Sequence, residues 1–270
     1  MTDTITFSFG KNWQAFLNQC MSAEREQAAR ASLQEFLEVP DLRNRSFLDI
    51  GCGSGLFSLA AHKLGASRIV SVDKDPFAVA CTERLRESAG RPGGWSVMEG
   101  SVLDDDFMAR LEPADIVYAW GSLHHTGEMW KAIRNAGNRV RPGGAFYLAI
   151  YNRSFGRQSS EHWLKVKERY NRAGNFSKRL MEWQFVLRNA VLPNLVRGKN
   201  PLREIRQRAR RGMDFWVDVR DWLGGLPYEY ASVDEVFRFC SHELGMQLDN
   251  IRSTHTTGCN EFLFRKLYGG

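Results

Sequence analysis

From Phe47 onward the apolar residues fall in short runs, Phe47 to Ile50, Arg68 to Val72, Trp95 to Met98, Ile116 to Ala119 and Ala145 to Tyr151, and the stretches between them repeat apolar positions every three to four residues. Strand alternating with helix implies parallel strands joined by right-handed crossovers, so the pattern predicts a doubly wound α/β sheet. Ahead of it, Trp13, Phe16, Leu17 and Met21, then Leu33, Phe36 and Leu37, predict one or two helices. Pro142-Gly143-Gly144 is expected to end a helix before the fifth strand.

After Tyr151 the alternation stops for about eighty residues, where Trp163, Val166 and Tyr170, then Leu180, Trp183, Leu187 and Val191, recur at helical spacing and predict a helical insertion. A helix follows from Ser232, placed to cap it with Glu235 three residues on, to Leu244, where Gly245 is the expected stop. Two last runs, Gln247 to Ser253 and Glu261 to Leu267, predict an antiparallel hairpin at the sheet edge. The expected organisation is residues 1–45 as an N-terminal helical cap, 46–152 as the core, 153–231 as the insertion, and 232–270 as a helix and hairpin completing the core.

Composition adds two points. With 270 residues, 43% of them hydrophobic, the chain can bury a full core. The net charge of +6 is unevenly spread: between Arg153 and Arg211 stand 16 Lys or Arg against 4 Asp or Glu, so the insertion is basic and the remainder net acidic. Cys20, Cys52, Cys81, Cys240 and Cys259 have neither C-x-x-C spacing nor an even count, which argues against a disulfide framework and a zinc site. No run is long and apolar enough for a membrane span and no leader is evident, so the expectation is a cytoplasmic protein.

The chemistry begins at Phe47-Leu48-Asp49-Ile50-Gly51-Cys52-Gly53-Ser54-Gly55, an apolar strand running into a glycine-rich turn. Glycines permit a tight turn and the close approach of a ligand, and Asp73, 22 residues after Gly51, ends the second strand where an acid can accept from ribose hydroxyls. The loop is G-x-G-x-G, whereas the dinucleotide fingerprint is G-x-G-x-x-G, so a nicotinamide oxidoreductase is disfavoured.

With Asp49, Gly51, Gly53 and Gly55 in the order D-x-G-x-G-x-G, the chain resembles the class I S-adenosylmethionine-dependent methyltransferases, closest to their ubiquinone-biosynthesis-like small-molecule branch. The resemblance implies a mostly parallel, seven-stranded Rossmann-like sheet with a C-terminal antiparallel hairpin, and the insertion after strand five lies outside it. It also implies S-adenosyl-L-methionine as methyl donor. Asp73 then holds the ribose, Lys74 lies beside the adenine, and Gly100-Ser101-Val102-Leu103 stands where the family commonly has Gly-Asp, so Ser101 departs from the pattern. Trp120-Gly121-Ser122-Leu123-His124-His125 resembles the loop facing the donor after strand four, and Asp115 precedes that strand as the family expects.

The expected donor site is Asp49, Gly51, Cys52, Gly53, Gly55, Asp73, Lys74, Ser101, Val102, Leu103 and Trp120. His125 is the candidate base, because an imidazole suits proton abstraction from an acceptor hydroxyl or amine. The expected acceptor contacts are Trp13, His124, Tyr151, Asn152, Trp222 and Tyr228. The basic insertion, with Arg206, Arg208, Arg210 and Arg211 close together, reads as a solvated cap, a surface for anionic small molecules or lipid head groups, or an RNA platform. The leading function is O-methylation of a small molecule, with N-methylation close behind, an RNA methyltransferase as alternative, and a non-catalytic adenosyl-ligand binding protein as the reading from another class.

Overall fold

The structure, a computed structural model, describes residues 23–156, 158–196, 198, 200 and 215–268. Seven strands form one sheet in the order β3-β2-β1-β4-β5-β7-β6: β1 Ser46–Ile50, β2 Arg68–Asp73, β3 Trp95–Glu99, β4 Ala114–Trp120, β5 Val140–Tyr151, β6 Met246–Arg252 and β7 Cys259–Lys266. The first five are mutually parallel, and β7 runs antiparallel to both its neighbours. The hairpin therefore exists as expected, but its second strand is slotted between β5 and β6, leaving β6 at the edge.

The central strands alternate sides with a period of two and are covered on both faces, which is why they read as near-continuous apolar runs. On one face Phe146, Leu148 and Ile150 join Leu48, Val117, Phe262 and Phe264 beneath α5 (Met129–Asn138) and α10 (Val233–Arg238). On the other, Tyr147, Phe47, Ile69, Trp95 and Tyr118 pack beneath α1 (Ala23–Leu37), α2 (Leu56–Lys63) and α3 (Pro76–Ser88). Leu33 and Phe36 of α1 are buried there, so α1 belongs to the core's own helical layer. Helix α4 (Asp105–Arg110) completes the run between β3 and β4.

The Pro142-Gly143-Gly144 expectation is overturned. Helix α5 ends at Asn138, and the three residues lie inside β5, where Val140 pairs with Ala114 and Ala145 with Ile116. Four residues of β5 thus bulge opposite the single residue Asp115, and a Cβ on Gly144 would sit 2.9 Å from the Asp115 carbonyl oxygen. The capping box is present as read: Ser232 Oγ accepts from Glu235 N and the Glu235 carboxylate accepts from Ser232 N. A π-turn over Phe239–Glu243 carries α10 on, and Gly245, at φ 62°, follows its end in the left-handed conformation that a stop requires.

Among the described residues the insertion contains α6 (Ser160–Arg172), α7 (Asn175–Val186), a π-turn (Leu187–Val191), α8 (Leu192–Val196) and α9 (Phe215–Gly224). It has its own small core of Trp163, Tyr170, Val186, Ala190, Val219, Leu223, Leu226 and Tyr228. Helical spacing identified Leu180, Trp183 and Leu187 as one face, but that face looks outward: they are 51%, 62% and 48% exposed. Periodicity finds a stripe without saying what covers it.

Candidate functional site

The glycine loop turns back on β2, with Gly51 N and Cys52 N both donating to the Val72 carbonyl at 2.8 and 3.0 Å. Gly51, Gly53 and Gly55 all have positive φ, at 75°, 54° and 78°. At two of them the bare backbone serves protein packing instead of ligand approach. A Cβ on Gly51 would lie 2.3 Å from Ser122 Cβ, and one on Gly55 would lie 2.9 Å from Thr82 side-chain atoms. Ser122 is pinned there because its Oγ donates to the Ile50 carbonyl at 2.8 Å. Cys52 backs the loop, buried, with its Sγ 3.3 Å from Thr82 Oγ1. Burial pushes its thiol pKa far up, so it is neutral.

Asp73 closes the loop from β2. Its Oδ2 accepts from Gly53 N at 3.0 Å and its Oδ1 from Asp75 N at 2.9 Å. A carboxylate offers about four lone-pair directions, so two amides leave room for two ribose hydroxyls. Burial raises its pKa, against the pull of the amides. Lys74 beside it is exposed. Asp49 departs from the expectation of direct contact: it is only 2% exposed and lies beneath the loop. There the Trp95 indole N–H reaches Ser71 Oγ at 2.8 Å, Ser71 Oγ meets Ser58 Oγ at 2.6 Å, and Ser58 Oγ donates to Asp49 Oδ2 at 2.6 Å. Since Ser58 spends its proton on Asp49, Ser71 must donate to Ser58, and the three donors run one way into the carboxylate. Burial still lifts Asp49 to about 7, with the nearby Asp73 charge adding to the rise. Among the described residues neither carboxylate makes an ion pair.

Past β3, Ser101 Oγ accepts from Leu103 N at 3.2 Å and so shapes its own turn. Leu103 is half-buried, whereas the Val102 side chain is committed to the sheet core, which overturns its expected ligand contact. Asp115, paired with Arg141 and accepting from Ser46 N and Oγ, fastens the far end of β4 to β1 and lies away from the loop.

On the acceptor side, Trp120 ends β4 with 44% exposure, and a 3-10 turn over Leu123–His125 follows. His124 is fully buried, its ring 3.9 Å from that of Tyr151 and its Nδ1 accepting from Tyr151 N at 3.4 Å. Burial pushes its pKa well down, so it is a neutral packing residue and not an acceptor contact. His125 is half-buried, and its Nδ1 lies 2.7 Å from the Pro227 carbonyl. A carbonyl can only accept, so Nδ1 carries the proton and Nε2 is the basic nitrogen. Burial lowers this imidazole to about 4.

Tyr151 joins the two halves: its ring is 5.5 Å from His125, 5.9 Å from Trp222 and 5.2 Å from Tyr228. Trp222 is half-buried, while Tyr228 is almost wholly enclosed in the insertion's core. Asn152 is taken out of the acceptor site by its neighbours. Its amide donates to the Thr254 and Thr256 carbonyls and its oxygen accepts from Asn260, fastening β5 to the β6–β7 loop. Trp13, Cys20, Arg206, Arg208, Arg210 and Arg211 lie outside the described residues.

The chain's reading missed three groups. Lys167, buried in α6, donates to the Trp222 carbonyl and sits 4.7 and 4.8 Å from the Trp222 and Tyr228 rings. Glu229 accepts from Gly127 N and Met129 N at the start of α5, and its own N–H donates to the His124 carbonyl. Ser122 fills the place of a Gly51 side chain. Each acts across more than fifty residues of sequence, where no local spacing could signal it.

Known proteins resemble this chain in sequence and in fold. A family described as "Methyltransferase domain" matches residues 21–198. A ubiquinone biosynthesis O-methyltransferase from Methylobacterium sp. (strain 4-46) is 31% identical over 130 residues, 48% of this chain and 50% of that protein. A ribosomal protein L11 methyltransferase from Aliivibrio salmonicida is 41% identical over 126 residues, 45% of this chain and 39% of that protein. The chain thus spans half or less of the length of these curated relatives. Among solved structures, magnesium protoporphyrin IX methyltransferase from Synechocystis PCC 6803, with bound SAH, has a TM-score of 0.56 at 11% identity, covering 95% of this chain and 93% of its own. A putative S-adenosyl-L-methionine-dependent methyltransferase from Methanococcus maripaludis gives 0.53 at 14%, covering 100% and 99%. With the family matched over most of its length and the sheet order, glycine loop and Asp73 in place, the chain belongs to the class I S-adenosylmethionine-dependent methyltransferases.

Proposed function

We propose that the protein transfers the methyl group of S-adenosylmethionine to a hydroxyl oxygen of a small-molecule acceptor. The observation that carries the reading is the His125 imidazole, locked by the Pro227 carbonyl with Nε2 as its basic nitrogen, beside Tyr151 at the carboxyl end of the sheet. The donor, when bound, supplies a methyl already activated on a sulfonium, so the protein's work is alignment, desolvation and removal of one proton. Asp73 accepts from the ribose hydroxyls, and the Asp49 and Asp73 carboxylates give the loop a negative field suited to a cation. Trp120, Tyr151 and Trp222 supply flat apolar walls for an acceptor ring.

A base with a pKa of about 4 is weak, but it is neutral and ready across the physiological range. The hydroxyl proton becomes strongly acidic as the new carbon–oxygen bond forms, so a weak base is enough to accept it at Nε2. The names of two similar proteins, the ubiquinone biosynthesis O-methyltransferase and an O-methyltransferase family protein from Burkholderia thailandensis, favour oxygen over nitrogen.

Calorimetric titration with S-adenosylmethionine, followed by turnover of methyl-labelled donor with a panel of phenols, alcohols and amines, tests the reading. Label on hydroxyl products, together with a loss of about tenfold or more in donor affinity in Asp73→Ala, is expected. Absence of donor binding by the intact protein, or label confined to amines or RNA, overturns it.

A further inference from the structure

We propose that the outer face of the insertion docks onto an anionic lipid surface. Helix α7, the π-turn and α8 form one continuous rod from Asn175 to Val196, about 33 Å long at 1.5 Å per residue. Its inner side gives Val186 and Ala190 to the insertion's core. Its outer side carries Phe176, Leu180, Trp183 and Leu187, at i, i+4, i+7 and i+11, and beyond the π-turn Leu192 and Leu195. Their exposures run from 46% for Leu192 to 83% for Phe176. A helix with water on that side ordinarily sets polar residues there. Trp183 keeps 62% exposure even with its ring 4.9 Å from that of Trp216.

The exposed charge on the rod itself has one sign. Arg179 and Arg188 on the rod and Arg172 at the end of α6 are exposed, and the one acid between Arg169 and Asn200 is Glu182. Glu182 is turned inward, where it accepts from the Tyr170 hydroxyl at 2.7 Å and pairs with Arg220. The exposed charge of the rod is therefore cationic, and it lies beside an apolar row. A second copy of the same face would bring like charges together, and a nucleic acid could stack on Phe176 and Trp183 but would leave Leu180, Leu187, Leu192 and Leu195, which neither stack nor hydrogen-bond, against its backbone. A bilayer interface with anionic head groups satisfies both, taking the apolar row among the acyl chains and the guanidinium groups at the phosphates.

Flotation of the intact protein with vesicles of phosphatidylcholine, alone or mixed with phosphatidylglycerol, tests the proposal. Expected is co-flotation with the mixed vesicles, weaker with phosphatidylcholine alone and reduced by salt. The double variant Leu180→Asp/Trp183→Asp should lose about tenfold or more of its vesicle partitioning. Arg179→Gln and Arg188→Gln should each lose about fivefold. All of these variants should keep the parental melting temperature and affinity for S-adenosylhomocysteine, which shows that the fold is intact. A protein that stays in the aqueous phase with every vesicle overturns the proposal. So does a double variant that floats like the parent, a dimer by sedimentation that disperses in the double variant, or capture of an RNA oligonucleotide in preference to vesicles.

Discussion

Ser58 Oγ donates to Asp49 Oδ2 at 2.6 Å, tying the first turn of α2 to the end of β1 immediately below the glycine loop. The bond is the last of three that start at the Trp95 indole, and it offsets only part of what burial costs an ionised carboxylate.

The pH dependence of stability follows from that cost. Asp49 sits at about 7 in the folded chain against about 3.9 unfolded. Between those values the folded state holds a proton that the unfolded state releases, so stability falls as pH rises from about 4 to 7 and then levels off. Asp49→Asn should gain on the parent by on the order of 3 kcal/mol between pH 5 and pH 8, read from chemical melts. The same ionisation strengthens the loop's hold on a cation, so S-adenosylmethionine affinity should rise with pH through about 7 in the parent and stay flat in the variant.

His125→Gln should lower kcat by roughly 100-fold or more while leaving donor affinity within about twofold. In the parent, kcat/KM should be level above about pH 5 and fall only as the imidazole protonates near 4. A decline beginning near 6.5 would mean that the working imidazole is not His125 as buried here, because burial is what lowers it.

Gly51→Ala places a methyl on Ser122 Cβ in a backbone at φ 75°, two separate penalties. Together they should cost about 2–4 kcal/mol in a urea melt and abolish donor binding by calorimetry. Ser122→Gly in the same chain should relieve the clash but not the dihedral strain, restoring about half of the lost stability.

Glu229→Ala leaves the first amides of α5 without their acceptor, for a loss of about 1–2 kcal/mol in denaturant melts. The peptide that carries Pro227 is two residues away, so the variant should also raise the acceptor KM more than it changes donor affinity, measured by paired kinetics and calorimetry.

Much of the fold was legible because its signals are local. The run Phe47 to Ile50, the glycine turn after it and the Ser232–Glu235 capping box each sit within a few residues of what they determine. Pro142-Gly143-Gly144 misled because a Pro-Gly break marks any departure from regular backbone, and here the departure is a bulge that brings Gly144 too close to the Asp115 carbonyl for a side chain. Asn152 misled because its position at a strand end is what an acceptor contact needs, while its partners Thr254, Thr256 and Asn260 lie about a hundred residues on. On the candidate donor side, the glycine turn itself lies in one stretch of sequence. The candidate acceptor side depends on which insertion residues fold back over Tyr151, and that is fixed by tertiary packing.

The placement of β7 between β5 and β6 bears on how the chain is made. Until Cys259–Lys266 leaves the ribosome, the outer margin of β5, with Phe146, Tyr147 and Leu148, lacks the neighbour it has in the folded sheet. More than a hundred residues separate the two strands, so a chain that has made β5 but not yet β7 is expected to expose a border open to wrong pairing.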